Sequence, residues 1–258
     1  MSPLHFVQQG QGPVVVLSHA LGCDLQMWDD VASALQDRYT VLRYDHRGHG
    51  RSPATEGPYS MQDLADDAAA FIRAHAGGEP VHFVGLSMGG MTAQALAARH
   101  PALVRSITIA NSACHYDEAA QVGWQTRVTT VLAQGIEPIA DGAMQRWFTP
   151  EICTDNLHGG SARVAAMRAI LVDTAPVPYA AACTAVAAID LAAGNRSIAC
   201  PTLVLAGTRD EATPPALSQT IAETIPGAQL SFIDAAHLSA VEKPAEFARV
   251  VSAFIAAH

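Results

Sequence analysis

The 258-residue sequence contains a single lysine, Lys243, and only 15% charged residues, with Asp+Glu 24 against Lys+Arg 15 and a formal net charge of −9. A chain this poor in positive charge has no basic stripe to track phosphates, so nucleic acid is not an expected partner. An anionic small substrate would approach against the net field and would need arginines placed locally to attract it. Long apolar runs are also missing, since none approaches the ~18 residues of a membrane-spanning helix. The opening MSPLHFVQQG has neither the basic flank nor the apolar stretch of a signal peptide, and the expected location is the cytoplasm. Cysteine is sparse: Cys23, Cys114, Cys153, Cys183 and Cys200 lie far apart, form no C-x-x-C and are odd in number. They read as reduced packing residues.

What is present is a globule. Half the residues are apolar, which excludes a disordered chain, and the length suits one α/β domain with a large core. PVVVLS (13–18), YTVLRY (39–44), VHFV (81–84), SITIA (106–110) and PTLVLA (201–206) are short β-branched runs expected to be buried strands, as is the stretch Gln229 to Ile233. Ala/Leu-rich segments lie between them, notably Met61 to His75 and Met88 to His100. Strand and helix alternate, which predicts a mostly parallel sheet covered on both faces. The alternation stops between about residues 114 and 188, where four helical stretches follow one another, broken at Gly135, Pro150 to Gly160 and Pro176 to Pro178. An all-helical insertion within one domain, lying over the sheet as a lid, is the simplest reading.

Gly85-Leu86-Ser87-Met88-Gly89 fits G-x-S-x-G. The string is short enough to arise by chance, but here it follows an apolar strand and opens a helical segment. That is the sharp turn which lifts a serine hydroxyl clear of a sheet. A hydroxyl needs a histidine to take its proton and an acid to orient the histidine. His237, late in the chain in DAAHLSAVEKP, is the expected base. The acid follows one of two strands: after 106–110 stands Asn111, which is no carboxylate, and after 201–206 stands Asp210, with Glu211 and Asp234 as fallbacks. The oxyanion donors are expected to be the backbone N–H groups of Leu21, after the first long strand, and of Met88, after the nucleophile. His19 reads as a structural loop residue. His46 and His49, in DHRGHGRS, lack the further ligands of a zinc signature, so no metal site is expected.

These strings resemble the α/β-hydrolase superfamily over nearly the whole chain, and among its members the 3-oxoadipate enol-lactonases of aromatic-acid catabolism. The likeness is carried by LSHALGCDLQMWD (17–29), RYDHRGHGRS (43–52), GLSMGGMTAQ (85–94), RWFTP (146–150), LVLAGTRDEATPP and DAAHLSAVEKP. Ala20, His46 and Ala93 stand where that family is expected to carry serine, threonine and glycine. The resemblance implies an α/β-hydrolase fold and a cofactor-free serine hydrolase with the catalytic residues Ser87, Asp210 and His237. Its substrate would be a small lactone bearing a carboxylate, met by lid residues drawn from Trp124, Arg127, Arg146 and Trp147. Trp124 and Arg127 are three apart on a helical segment and would share a face. Arg163 and Arg168 are expected to point to solvent. A general carboxylesterase or a cofactor-free haloperoxidase-like perhydrolase would use the same triad, and a ligand receptor on the same fold is the reading from outside enzymology.

Overall fold

Seven strands form one twisted sheet in a computed structural model that describes residues 3–258. They are β1 (Phe6–Gln9), β2 (Val14–Ser18), β3 (Thr40–Tyr44), β4 (Val81–Leu86), β5 (Val104–Ala110), β6 (Thr202–Gly207) and β7 (Gln229–Ile233), in the spatial order β1-β3-β2-β4-β5-β6-β7. Only β1 is antiparallel, pairing Phe6 with Tyr44 and Gln9 with Val41. All other pairs are parallel. β4 and β6 are buried along their whole length, which explains why they read as unbroken apolar runs rather than alternating ones.

The sequence reading locates six of these strands and assigns none at β1. FVQQ has no β-branched run of its own. It becomes a strand by pairing with β3 and by packing Phe6 edge-on against Phe71 at 5.4 Å. Tertiary contact, not local preference, makes this edge.

Helices α1 (Asp29–Leu35), α2 (Met61–His75) and α3 (Met88–Arg99) cover the first half of the sheet. Helix α2 begins with a capping box in which Ser60 and Asp63 satisfy each other's backbone N–H groups. Five helices then follow β5: α4 (Glu118–Gln134), α5 (Glu137–Trp147), α6 (Pro150–Thr154), α7 (Gly160–Asp173) and α8 (Pro176–Ala187). The short α9 (Ala192–Asn195), α10 (Pro215–Thr224), α11 (Ser239–Glu242) and α12 (Pro244–Ala256) complete the chain.

The structure differs from the four expected helical stretches in two places. Pro150 opens α6 rather than breaking the chain, and Pro176 opens α8. Proline is tolerated in a first turn because the N–H it lacks would have no partner there anyway. The insertion is closed at its base: His115 bridges Asp190, and Leu191 N–H donates to Cys114 O at 2.8 Å. No single helix among the described residues is long and apolar enough to cross a membrane.

Candidate active site

Parallel strands deliver their carboxyl ends to one edge of the sheet, and five neighbouring strand ends carry the residues of interest: Ser18 on β2, Ser87 after β4, Asn111 after β5, Asp210 after β6 and His237 after β7. Ser87 sits at φ 56° and ψ −114°, a strained conformation for a side chain with a Cβ. The surroundings hold it there. Its N–H donates to Ala110 O at 2.9 Å, and its carbonyl accepts from Ser112 Oγ at 2.8 Å. The flanking glycines are required by close approach, because a Cβ on Gly85 would lie 2.0 Å from Gly89 O and one on Gly89 would lie 2.0 Å from Ser18 O.

Asp210 and His237 are brought together, with His237 Nδ1 2.9 Å from Asp210 Oδ2 and both residues buried. Further donors converge on this carboxylate. Oδ1 accepts from the N–H groups of Ala212 and Thr213 at 2.8 Å each; Oδ2 accepts from Thr213 Oγ1 at 2.7 Å and Asn111 Nδ2 at 2.9 Å. Burial works to raise the Asp210 carboxyl, but the charge and hydrogen bond of His237, together with the Thr213 and Asn111 donors, hold it below the usual carboxylate range. An ionised Asp210 accepts from Nδ1–H, which leaves Nε2 of His237 as the basic nitrogen.

Neither fallback acid takes this place. Glu211 faces the cavity described below, and Asp234 accepts from Thr208 Oγ1 at 3.3 Å on an exposed turn.

The Leu21 and Met88 N–H groups have no hydrogen-bond partner among the described residues. Leu21 is oriented from behind by His19. Backbone N–H of His46 donates to His19 Nε2 at 2.9 Å, so the ring proton is on Nδ1, which donates to Ala20 O at 2.8 Å. Cys23 N–H donates to the same oxygen at 3.1 Å. Ala20 C=O and Leu21 N–H belong to one planar peptide and point opposite ways, so a tethered carbonyl also fixes the amide.

His46 and His49 are buried behind this loop. His46 Nε2 lies 2.9 Å from Ser18 Oγ, which in turn lies 2.9 Å from Tyr44 Oη, and His49 Nδ1 donates to Arg47 O at 3.2 Å. Burial lowers all three imidazoles, His49 to about 3 and His46 well below its ordinary value.

A cavity of about 120 Å³ opens above the serine. Ser87, His237 and Leu21 form its floor, while Trp124, Arg127, Arg146 and Trp147 from α4 and α5 form its roof. Arg127 stacks on Trp124 at 5.0 Å from the ring centroid and lies 3.4 Å from Tyr179 Oη. Neither Arg127 nor Arg146 is ion-paired among the described residues, although Arg163 and Arg168 on α7 are: Arg163 with Asp30, and Arg168 with Glu137 and Asp141. Burial, and then the like charge of Arg127, pull the Arg146 guanidinium down from its ordinary value. Two cations without a carboxylate partner among the described residues, beside a serine and a histidine, make a site that can hold a carboxylate while a neighbouring carbonyl is attacked.

Sequence reasoning missed Thr213 and Asn111 as partners of Asp210, and Tyr116 as a cavity wall. Thr213 carried a signal, since a threonine three residues after an aspartate closes a side-chain turn. Asn111 carried none, because its role depends on a contact 99 residues away.

Residues 13–244 match the model of a family described as alpha/beta hydrolase fold. The chain is 36% identical over 245 residues to 3-oxoadipate enol-lactonase 2 of Acinetobacter baylyi, covering 95% of this chain and 89% of the relative. It is 35% identical to 3-oxoadipate enol-lactonase 1 of the same organism, over 94% of this chain and 88% of that one. The crystal structure of the enol-lactonase from Burkholderia xenovorans superposes with a TM-score of 0.91 at 34% identity, covering 98% of this chain and 96% of that one. A parallel sheet whose strand ends carry serine, acid and histidine in that chain order, matched along nearly its full length by these proteins, belongs to an enzyme of the α/β-hydrolase family.

Proposed function

We propose that the chain opens the ring of 3-oxoadipate enol-lactone, releasing 3-oxoadipate through an acyl-enzyme on Ser87. One observation carries the reading: Arg127 and Arg146, unpaired, line the same cavity as Ser87 and His237 in a protein whose net charge is −9. Cations retained in a partly buried site without a carboxylate to pair with call for an anionic ligand. The identity to enol-lactonases supports the choice of lactone. The helical insertion between β5 and β6 then serves as a lid that carries the carboxylate-recognising groups.

Ser87 Oγ attacks the lactone carbonyl carbon as His237 Nε2 takes its proton, and Asp210 stabilises the resulting imidazolium. The Leu21 and Met88 amides receive the oxyanion, where preorganised donors are worth a factor of roughly 10² to 10³ each. Collapse of the tetrahedral species breaks the ring C–O bond. The departing oxygen takes the proton from His237 as an enol, which becomes the ketone of the product. This leaving group remains part of the same molecule, so the acyl-enzyme still holds the whole substrate under the lid. His237 then activates water, the ester to Ser87 is cleaved, and the serine recovers its proton.

Purified protein offered the enol-lactone, a neutral butenolide and p-nitrophenyl acetate tests the reading directly. A kcat/KM for the enol-lactone at least a hundredfold above the neutral substrates is the expected result. Equal turnover of all three would make the chain a general esterase. A fluorophosphonate should label the wild type and leave Ser87→Ala unlabelled.

A further inference from the structure

The mechanism makes no use of Glu242, yet its carboxylate is buried and ion-paired with no cation among the described residues. Such a group must be satisfied by hydrogen bonds. Its partners come from two separate parts of the active site. Oε1 accepts a short hydrogen bond from Thr149 Oγ1; Oε2 accepts from Thr149 N–H at 3.3 Å and from Ala236 N–H at 3.1 Å. Thr149 lies in the turn between α5 and α6, two residues after Trp147 of the cavity roof. Ala236 immediately precedes His237. On the other side of the histidine, Leu238 N–H donates to Trp147 O at 3.0 Å.

We propose that Glu242 is a positioning residue that ties the lid turn following Arg146 and Trp147 to the loop bearing His237, so that roof and base are held as one unit. The inference rests on the assignment of His237 as the base. Both backbone neighbours of the histidine are bonded into this strap, one through Glu242 and one directly. Loosening it leaves the triad chemically complete but lets His237 drift from Ser87 and lets the roof drift from the bound carboxylate. Both kcat and the KM for a lid-held substrate should therefore change.

The carboxylate is isosteric with an amide, and a threonine hydroxyl can donate or accept. In Glu242→Gln, the amide oxygen can accept from the Thr149 and Ala236 N–H groups while its NH₂ donates to Thr149 Oγ1. The strap survives without charge. Glu242→Ala removes it, and Thr149→Val removes only the hydroxyl arm on the lid side.

The experiment measures kcat and KM for the enol-lactone, and the rate of fluorophosphonate labelling per folded molecule, in the wild type, these three variants and the double variant Glu242→Ala/Thr149→Val. Glu242→Gln should stay within about threefold of wild type, and Glu242→Ala should lose about tenfold or more in kcat and in labelling rate. Thr149→Val should lose a smaller factor and raise KM, and the double variant should be little worse than Glu242→Ala. If Glu242→Ala does not fold, Thr149→Val and Glu242→Gln still decide. The proposal is overturned if Thr149→Val only lowers the melting temperature while kcat, KM and labelling stay at wild-type values, or if Glu242→Gln does not rescue. Fully additive losses overturn it as well. Failure of the lactonase reading looks different, since the wild type itself would then leave the enol-lactone intact while still being labelled.

Discussion

The side-chain amide of Asn111 and Nδ1 of His237 converge on one atom, Oδ2 of Asp210, each at 2.9 Å. Asn111 reaches it from φ 47°, and its own oxygen accepts from Ser239 Oγ at 2.5 Å. The residue that cannot serve as a carboxylate thus helps to hold Asp210. Asn111→Ala deletes one donor and should cost about tenfold in kcat. Asn111→Asp should cost more, because a second carboxylate would face the first and the two would compete for one proton. Steady-state kinetics on the two variants checks the order, and an Asn111→Asp enzyme faster than Asn111→Ala would contradict the role.

Ser87→Ala, His237→Ala and Asp210→Asn should each lower kcat by roughly three to six orders of magnitude. A triple variant should be little worse than Ser87→Ala alone, since the groups act in one step. Single-turnover assays with active-site titration would detect additive losses, which would break up the assignment.

The two roof arginines should differ. Arg127 is already held against Trp124 and near Tyr179, whereas Arg146 has no side-chain partner among the described residues. Arg146→Met should reduce kcat/KM for the enol-lactone by about tenfold to a hundredfold, the scale of one charge-assisted hydrogen bond, and leave p-nitrophenyl acetate nearly untouched. Arg127→Met should show the same selectivity with a smaller loss. Equal injury to both substrates would mean collapse of the roof rather than lost recognition.

Acid should unfold the protein through its buried imidazoles. Unfolded histidine titrates near pH 6.5, whereas burial holds His49 at about 3 and lowers His19 and His46 as well. Below pH 6.5 the unfolded chain therefore binds protons that the folded chain refuses. Stability is fully present above that pH and falls with acidification by about 1.4 kcal/mol per pH unit for each histidine kept neutral, the His49 share ending near pH 3. Urea midpoints between pH 7.5 and 4.5 would show the slope, and His49→Gln should flatten it. An unchanged slope in that variant would assign the acid sensitivity elsewhere.

The strands were legible where the chain is buried on both sides, because β4 and β6 need unbroken apolar runs. The turn that carries Ser87 was legible because it needs glycines at fixed offsets. β1 was not, since its pairing partner lies more than thirty residues away and its own residues have no preference strong enough to announce it. Asn111 and Glu242 share that difficulty. Asn111 meets Asp210 99 residues away and Glu242 meets Thr149 93 residues away, and only folding determines which residues are brought together.

The bridge between His115 and Asp190 closes the helical insertion into a loop whose two ends are already paired. The entropic cost of joining those ends is met at the neck and rises only slowly with the length of chain beyond it. Residues 116 to 189 are therefore a cassette: a shorter or differently charged segment could be grafted at the same neck without disturbing the register of β5 on β6. Arg127 and Arg146 lie inside the cassette and Ser87, Asp210 and His237 outside it, so a graft that keeps the Thr149 and Trp147 contacts to Glu242 and Leu238 would change the roof and spare the floor.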